Sequence, residues 1–84
     1  MARRNPAAKR YKNPNFLKAL GAHCRSMRVK RGLSIDRMYR EGDQLSPGAI
    51  QRLENGASDV HVSLLFRYAQ VLNIPVFELL KFKL

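Results

Sequence analysis

The feature that most limits what this chain can fold into is the density of its helix start and stop signals. Asn13-Pro14, Ser34, Ser46-Pro47 and Pro75 each open a segment, and Gly32, Asn55-Gly56 and Asn73 close them. A Ser or Asn before a helix accepts a hydrogen bond from a first-turn N–H, and a proline at the first helical position loses nothing because that N–H has no helical partner. Glycine and asparagine stop helices because they enter the left-handed conformation cheaply. Only short helices fit between such marks.

The apolar residues keep helical spacing between them. Leu17, Leu20, Cys24 and Met27 draw one stripe from about Pro14 to Gly32. Ser34 caps a short helix through Met38 to about Glu41, and "GDQ" supplies turn chemistry. In "LSPGAIQRLENG", Ser46 caps a third helix that turns Ile50 and Leu53 inward. After "ASDVH", Val62, Leu65, Phe66, Ala69 and Leu72 mark a core helix, and Pro75 opens a last one through Phe77 and Leu80. The expectation is an all-α fold of five helices over residues 14–84. In the end of the chain, "VFELLKFKL", Val76, Phe82 and Leu84 either cover the lower side of the core or form a dimer contact.

Residues 1–13 read differently. "MARRNPAAKRYKNPN" has two Asn-Pro pairs, five basic residues and one aromatic, too little apolar surface to order itself, and reads as a flexible basic arm. Residues 1–31 hold ten of the sixteen Lys and Arg and no acid, whereas residues 32–84 hold six basic and six acidic side chains. The net charge of +10 therefore sits wholly in the first third. That polarity suits a polyanion, either nucleic acid or an acidic membrane surface, although a basic tail can also be merely solvated.

Other functions find little support. At 84 residues the chain is near the size at which a core closes without disulfides or metals, and a second copy is one source of extra stability. The lone Cys24 cannot form an internal disulfide and reads as a small core residue, which fits a reducing cytoplasm. No Cys/His cluster has metal-ligand spacing, so no metal or cofactor is implied. The apolar runs fall far short of the ~20 residues that span a bilayer, and no membrane association is expected. His23, at the edge of the first helix, and His61, at the start of the fourth, lie far apart with no nearby nucleophile. No catalytic residue is assigned and no enzyme is expected.

Two short helices joined by a tight turn within a five-helix chain describe a helix-turn-helix unit, here at about residues 34–55. From Leu20 to Leu80 the chain resembles the lambda-repressor/Cro-like, or Xre-type, helix-turn-helix family. The resemblance rests on "LGAHCRSMRVKRGLS", "AIQRLENG" and "LLFRYAQVLNIPVFELL", whose order and spacing are specific although each piece alone is not. It implies that Arg28 and Glu54 pair beneath the surface. Independently, an Arg fork meeting a carboxylate bidentately can tie the third helix to the first, the alternative being that both are solvated.

The resemblance also implies which residues meet DNA. The family's readers stand at the first two positions of the third helix and one turn later, here Pro47 and Gly48, then Gln51 and Arg52. The first pair can donate no side-chain hydrogen bond. Gln51 suits adenine and Arg52 suits guanine, each good bidentate pair carrying about 1–3 kcal/mol of discrimination. For Arg52 a phosphate contact is the alternative. Ser46 and Ala49 can add a phosphate or base contact and a thymine methyl contact, while Gly48 lets the helix start approach closely. Ser34, Pro47, Asn55 and Gly56 are the candidates for backbone phosphates. Arg3, Arg4, Lys9, Arg10 and Lys12, interleaved with Tyr11, suit the minor groove or a phosphate track.

Three positions depart from the family pattern. Ile35 stands where glutamine is usual, Tyr39 where alanine is usual, and the stretch from Met38 to Leu45 is one residue longer than the usual turn. The extra residue can be absorbed by an unusual backbone conformation at Gly42 or can tilt the third helix away from the groove. The leading expectation is a sequence-specific regulator that binds double-stranded DNA as a homodimer on an inverted repeat. It would be nucleoid-associated in the cytoplasm and of bacterial, phage or mobile-element origin. The alternative is a protein-interaction module of antitoxin or anti-activator type on the same fold, with a protein partner.

Overall fold

The computed structural model describes residues 13–42, 45–57 and 59–84, so the arm residues Arg3, Arg4, Lys9, Arg10 and Lys12 lie outside the described residues. The helices are α1 (Pro14–Lys30), α2 (Ile35–Glu41), α3 (Pro47–Asn55) and α4 (Val62–Leu72), followed by a 3-10 helix at Val76–Leu80. There are thus four α-helices and no strand among the described residues, and the expected fifth α-helix is a 3-10 helix.

Cap chemistry sets the boundaries. Asn13 Oδ1 accepts from the Phe16 N–H at 3.0 Å, Ser34 Oγ from Arg37 N–H at 3.0 Å, and Ser46 Oγ from Ala49 N–H at 3.1 Å. A leucine precedes each serine cap, and Leu45 is buried together with Ile50, four positions into α3, which fixes the angle at which the chain enters that helix. At the far end of α3, Gly56 adopts φ +64°, and its N–H and that of Ala57 return to the Leu53 and Arg52 carbonyls. A Cβ at Gly56 would lie 2.7 Å from the Lys18 Cα, so the glycine is needed both for its conformation and for the approach of α1.

The core gathers Leu20, Cys24, Met38, Leu45, Ile50 and Leu53 against Leu65, Ala69, Leu72 and Leu79. Cys24 is fully buried, and desolvation raises its thiol pKa to about 12, which leaves it inert. On α1 the inward face also includes Gly21 and Arg28, while Met27 is only partly buried. A Cβ at Gly21 would overlap the Leu53 carbonyl oxygen and stand 2.5 Å from that of Glu54. Backbone of α1 thus meets backbone of α3.

Two expected stripes are displaced. On α4 the buried residues are Leu65, Tyr68, Ala69 and Leu72, whereas Val62 and Phe66 are 77% and 52% exposed. Tyr68 is fully buried because its hydroxyl finds acceptors inside, described below. In the 3-10 helix, residues three apart share a face. Leu79 is accordingly buried, Val76 and Phe82 pack beside it, and Phe77 and Leu80 face out. Phe82 stacks at 5.5 Å on Phe16 and 5.7 Å on His23, and the His23 Nε2–H donates to the Glu78 carbonyl at 2.8 Å, fastening the chain end to α1. Of the three tail residues Val76, Phe82 and Leu84, only Leu84 is fully in solvent.

The longer turn between α2 and α3 does not strain Gly42, contrary to one of the two expectations for it. Gly42 has φ −115° and ψ 99°, ordinary extended backbone, and it is buried. What calls for glycine there is space, since a Cβ would come within 2.6 Å of Val71 Cγ2 and 2.8 Å of Leu45 Cδ1. Tyr39 is 51% exposed, so its bulk projects into solvent and does not wedge α2 from its neighbours.

Candidate nucleic-acid interface

The third helix has two unlike sides. Ile50, Leu53 and Glu54 face inward, and Gln51, Arg52 and Asn55 are exposed on the other side. Glu54 is the anchor. Arg28 Nε donates to its Oε2 at 2.7 Å and Arg28 Nη2 to its Oε1 at 2.9 Å, a bidentate pair with side chains only 9% and 4% exposed. The Tyr68 hydroxyl lies 2.6 Å from the same Oε2 and 3.1 Å from the Cys24 carbonyl; its single proton goes to the closer, charged acceptor. Arg28 Nη1 donates to the Leu33 carbonyl at 2.7 Å.

One carboxylate therefore collects donors from α1 and α4, and its arginine also holds the α1–α2 connection. The hydrogen bond from Arg28 to Glu54 keeps the guanidinium still more firmly charged, and desolvation together with the Glu54 hydrogen bond raises the Tyr68 pKa. No buried side-chain N or O lacks a partner among the described residues. By contrast, Arg37–Glu41 and Arg40–Asp36 on α2 are exposed pairs worth about 0–1 kcal/mol each.

Tyr68 is the member of this network that its sequence position did not reveal. Removing its hydroxyl in Tyr68→Phe keeps the ring volume and withdraws one hydrogen bond from a buried carboxylate. The expected loss is about 1.5–3 kcal/mol in urea denaturation. A change near zero would mean that the Arg28 fork alone satisfies Glu54.

On the opposite side, the side chains of Gln51 and Arg52 make no intramolecular hydrogen bond or ion pair among the described residues. Arg52 Nη1 runs back along the helix to within 3.4 Å of where a Cβ at Gly48 would stand. Pro47 is exposed, Gly48 and Ala49 are half-buried, and Asn55 sits exposed at the helix end. Ser46 and Ser34 are exposed and accept capping bonds through their oxygens, which leaves each hydroxyl proton able to donate outward. Gly56 differs: its N–H is spent on Leu53 and its surroundings are the α1 backbone, so it closes α3 and is not turned to a ligand.

Beside the exposed face runs an open groove of about 600 Å³ between α3 and α4. Ala49 and Arg52 line it on one side, and His61, Ser63, Arg67 and Gln70 on the other. Arg67 Nη1 is held by Gln70 Oε1 at 3.1 Å. Arg67 was not singled out from the sequence, where it reads only as a polar position on an apolar helix. Among the described residues no group of His, Cys, Asp and Glu could hold a metal, and no helix is long and apolar enough to cross a membrane.

Two short, serine-capped helices joined by a turn, the second clamped from behind and bare in front, define a helix-turn-helix domain. A family model described as helix-turn-helix, of the Cro/C1 type, matches residues 25–79, and the chain belongs to this Xre-like family. The fold is similar to the crystal structure of the DNA-binding domain of BldD, with 28% identity and a TM-score of 0.73 over 81% of this chain and 97% of that one. It is also similar to the crystal structure of the clp gene regulator ClgR from C. glutamicum, with 32% identity and a TM-score of 0.69 over 77% of this chain and 83% of that one. No curated protein sequence matches the chain significantly.

Proposed function

We propose that the protein is a transcription regulator that binds DNA sequence-specifically, as a homodimer on an inverted repeat, with α3 in the major groove. The observation that carries this reading is the two-sidedness of α3: Glu54 is locked behind, while Gln51 and Arg52 stand in front without an intramolecular partner among the described residues. A reading helix needs both properties, because a bidentate contact to a base edge discriminates only when the helix that presents it is held rigidly. Arg52 is the principal reader, with guanine as its partner, and Gln51 the second, with adenine. Pro47 and Gly48 contribute no side-chain donor, and Gly48 lets the start of the helix approach closely. Ser46, Ser34 and Asn55 serve the phosphate backbone, and Arg67 and His61 extend that contact along the α3–α4 groove. The BldD and ClgR likenesses, titled as a DNA-binding domain and a gene regulator, support the same reading.

Selection of bound sequences from random duplexes tests it. The wild type should enrich an inverted repeat with a guanine in each half-site, and Arg52→Ala should lose about 1–3 kcal/mol at that position. Uniform weak binding to every duplex, the same for both proteins, would leave the protein without a base-reading function.

The arm is assigned to the phosphates or minor groove beside the site. Each neutralised phosphate adds about 0.9 to the slope of log K against log salt, so deleting residues 2–12 should flatten that slope by several units. An unchanged slope would remove the arm from the complex.

A further inference from the structure

An apolar cleft of about 340 Å³ lies where the basic arm joins the domain. Phe16 and Leu20 of α1 wall it on one side, Val60 and Val62 where the chain enters α4 on another, and Leu80 of the 3-10 helix closes the third. Val62 and Leu80 are exposed, so burying an apolar side chain between them would gain at about 25 cal/mol for each Å² removed from water. Two polar residues border the cleft, Asn13 and Asp59.

Asp59 is set apart by its charge. Asp36, Glu41, Glu54 and Glu78 are each in an ion pair with an arginine or lysine, and among the described acidic side chains Asp59 alone is not. In a chain of net charge +10, an unpaired carboxylate at the border of an apolar cleft suits a basic segment that carries an apolar anchor.

We propose that the cleft receives Tyr11 of the chain's own arm, with the flanking Arg10 and Lys12 drawn to Asp59. The point of attachment selects this occupant. Asn13 borders the cleft and Tyr11 stands two residues before it, so at about 3.5 Å per extended residue the two Cα atoms are held within about 7 Å. A tether that short gives an effective concentration on the order of millimolar or above, whereas any other occupant must bind from solution. The sequence pattern matches as well. Tyr11 is the sole aromatic of residues 1–12 and has a cation on each side, as the cleft has apolar walls and one acid at its border. Tyrosine suits a site with one dry and one wet end. Asp59 also lines the α3–α4 groove, so docking roots the arm beside Arg52 and Arg67. The site stands whether or not the chain reads DNA.

Methyl-selective NMR on the full chain without DNA tests the proposal. Ring protons of Tyr11 should show NOEs to the methyls of Val60, Val62 and Leu80, and Tyr11→Ala should abolish the ring-current shift of those methyls. Asp59→Asn should weaken the NOEs several-fold. The control Tyr39→Ala should leave the cleft methyls unchanged. Asp59 and Tyr39 are both exposed, so these two variants keep the fold. Cleft methyls that ignore Tyr11→Ala overturn the proposal. Tyr11 contacts that survive Asp59→Asn at full strength also overturn it, since charge then does not select the arm. Contacts seen only between labelled and unlabelled chains in a mixed sample give the cleft to the arm of a second copy, and overturn it too. No DNA enters the experiment, so its failure is separate from that of the DNA-reading assignment.

Discussion

Glu54→Ala should cost about 3–5 kcal/mol of folding stability, because it strands a buried guanidinium and leaves the Tyr68 hydroxyl only the longer bond to the Cys24 carbonyl. Domains of this size hold about 5–15 kcal/mol in total, so the variant should stand near the edge of folding. At roughly 4–8 °C per kcal/mol, the melting temperature falls by more than ten degrees. The desolvation cost of the pair is already met in the folded wild type, so much of the loss measures the charge left alone. Removing both partners, in Arg28→Met with Glu54→Leu, should therefore be less harmful than either single change. Thermal melts followed by circular dichroism check both statements. A fall within about 0.5 kcal/mol would mean that the pair acts as an exposed bridge does.

Gly21→Ala sets two principles against each other. Alanine is the better helix former by about 1 kcal/mol, so propensity alone makes the change stabilising. The new methyl, however, would overlap the backbone of Leu53 and Glu54, atoms that yield only if α3 moves as a whole. Overpacking of this kind costs typically about 1–3 kcal/mol and more where backbone meets backbone, so the net sign is destabilising. The displaced helix is the one proposed to read DNA, and on that proposal specific affinity should fall with stability. Urea denaturation gives the sign directly, and a rise in the midpoint would show that α1 and α3 can separate at little cost.

What could be read from the sequence was whatever depends on near neighbours. The caps at Asn13, Ser34 and Ser46 and the stops at Gly56 and Asn73 stand where short-range hydrogen bonding puts them. The inward face of α4 is another matter, because two apolar stripes compete there: 62, 65, 66, 69, 72 and 65, 68, 69, 72. The second is buried, since a tyrosine whose hydroxyl reaches Glu54 can enter the core, and that partner lies fourteen positions away in sequence. Likewise nothing in the spacing joins Arg28 to Glu54, twenty-six positions apart; only the family resemblance brought them together.

Some missed features had local signs. Gly21 is a lone glycine inside an apolar helical stripe, and such a residue is usually kept for a close approach. Val76, Leu79 and Phe82 repeat every three residues after Pro75, the spacing of a 3-10 helix and not of the expected α-helix.

The most direct measurement of the role proposed for α3 is methylation interference on a selected duplex, read with the wild type and with Arg52→Ala. Methylation of guanine N7 blocks the acceptor that an arginine uses in the major groove. Binding of the wild type should be lost when one particular guanine in each half-site is methylated, and the residual binding of Arg52→Ala should be indifferent to the same modification. Wild-type binding that tolerates methylation at every guanine N7 would contradict the assignment of α3 and Arg52 to the major groove.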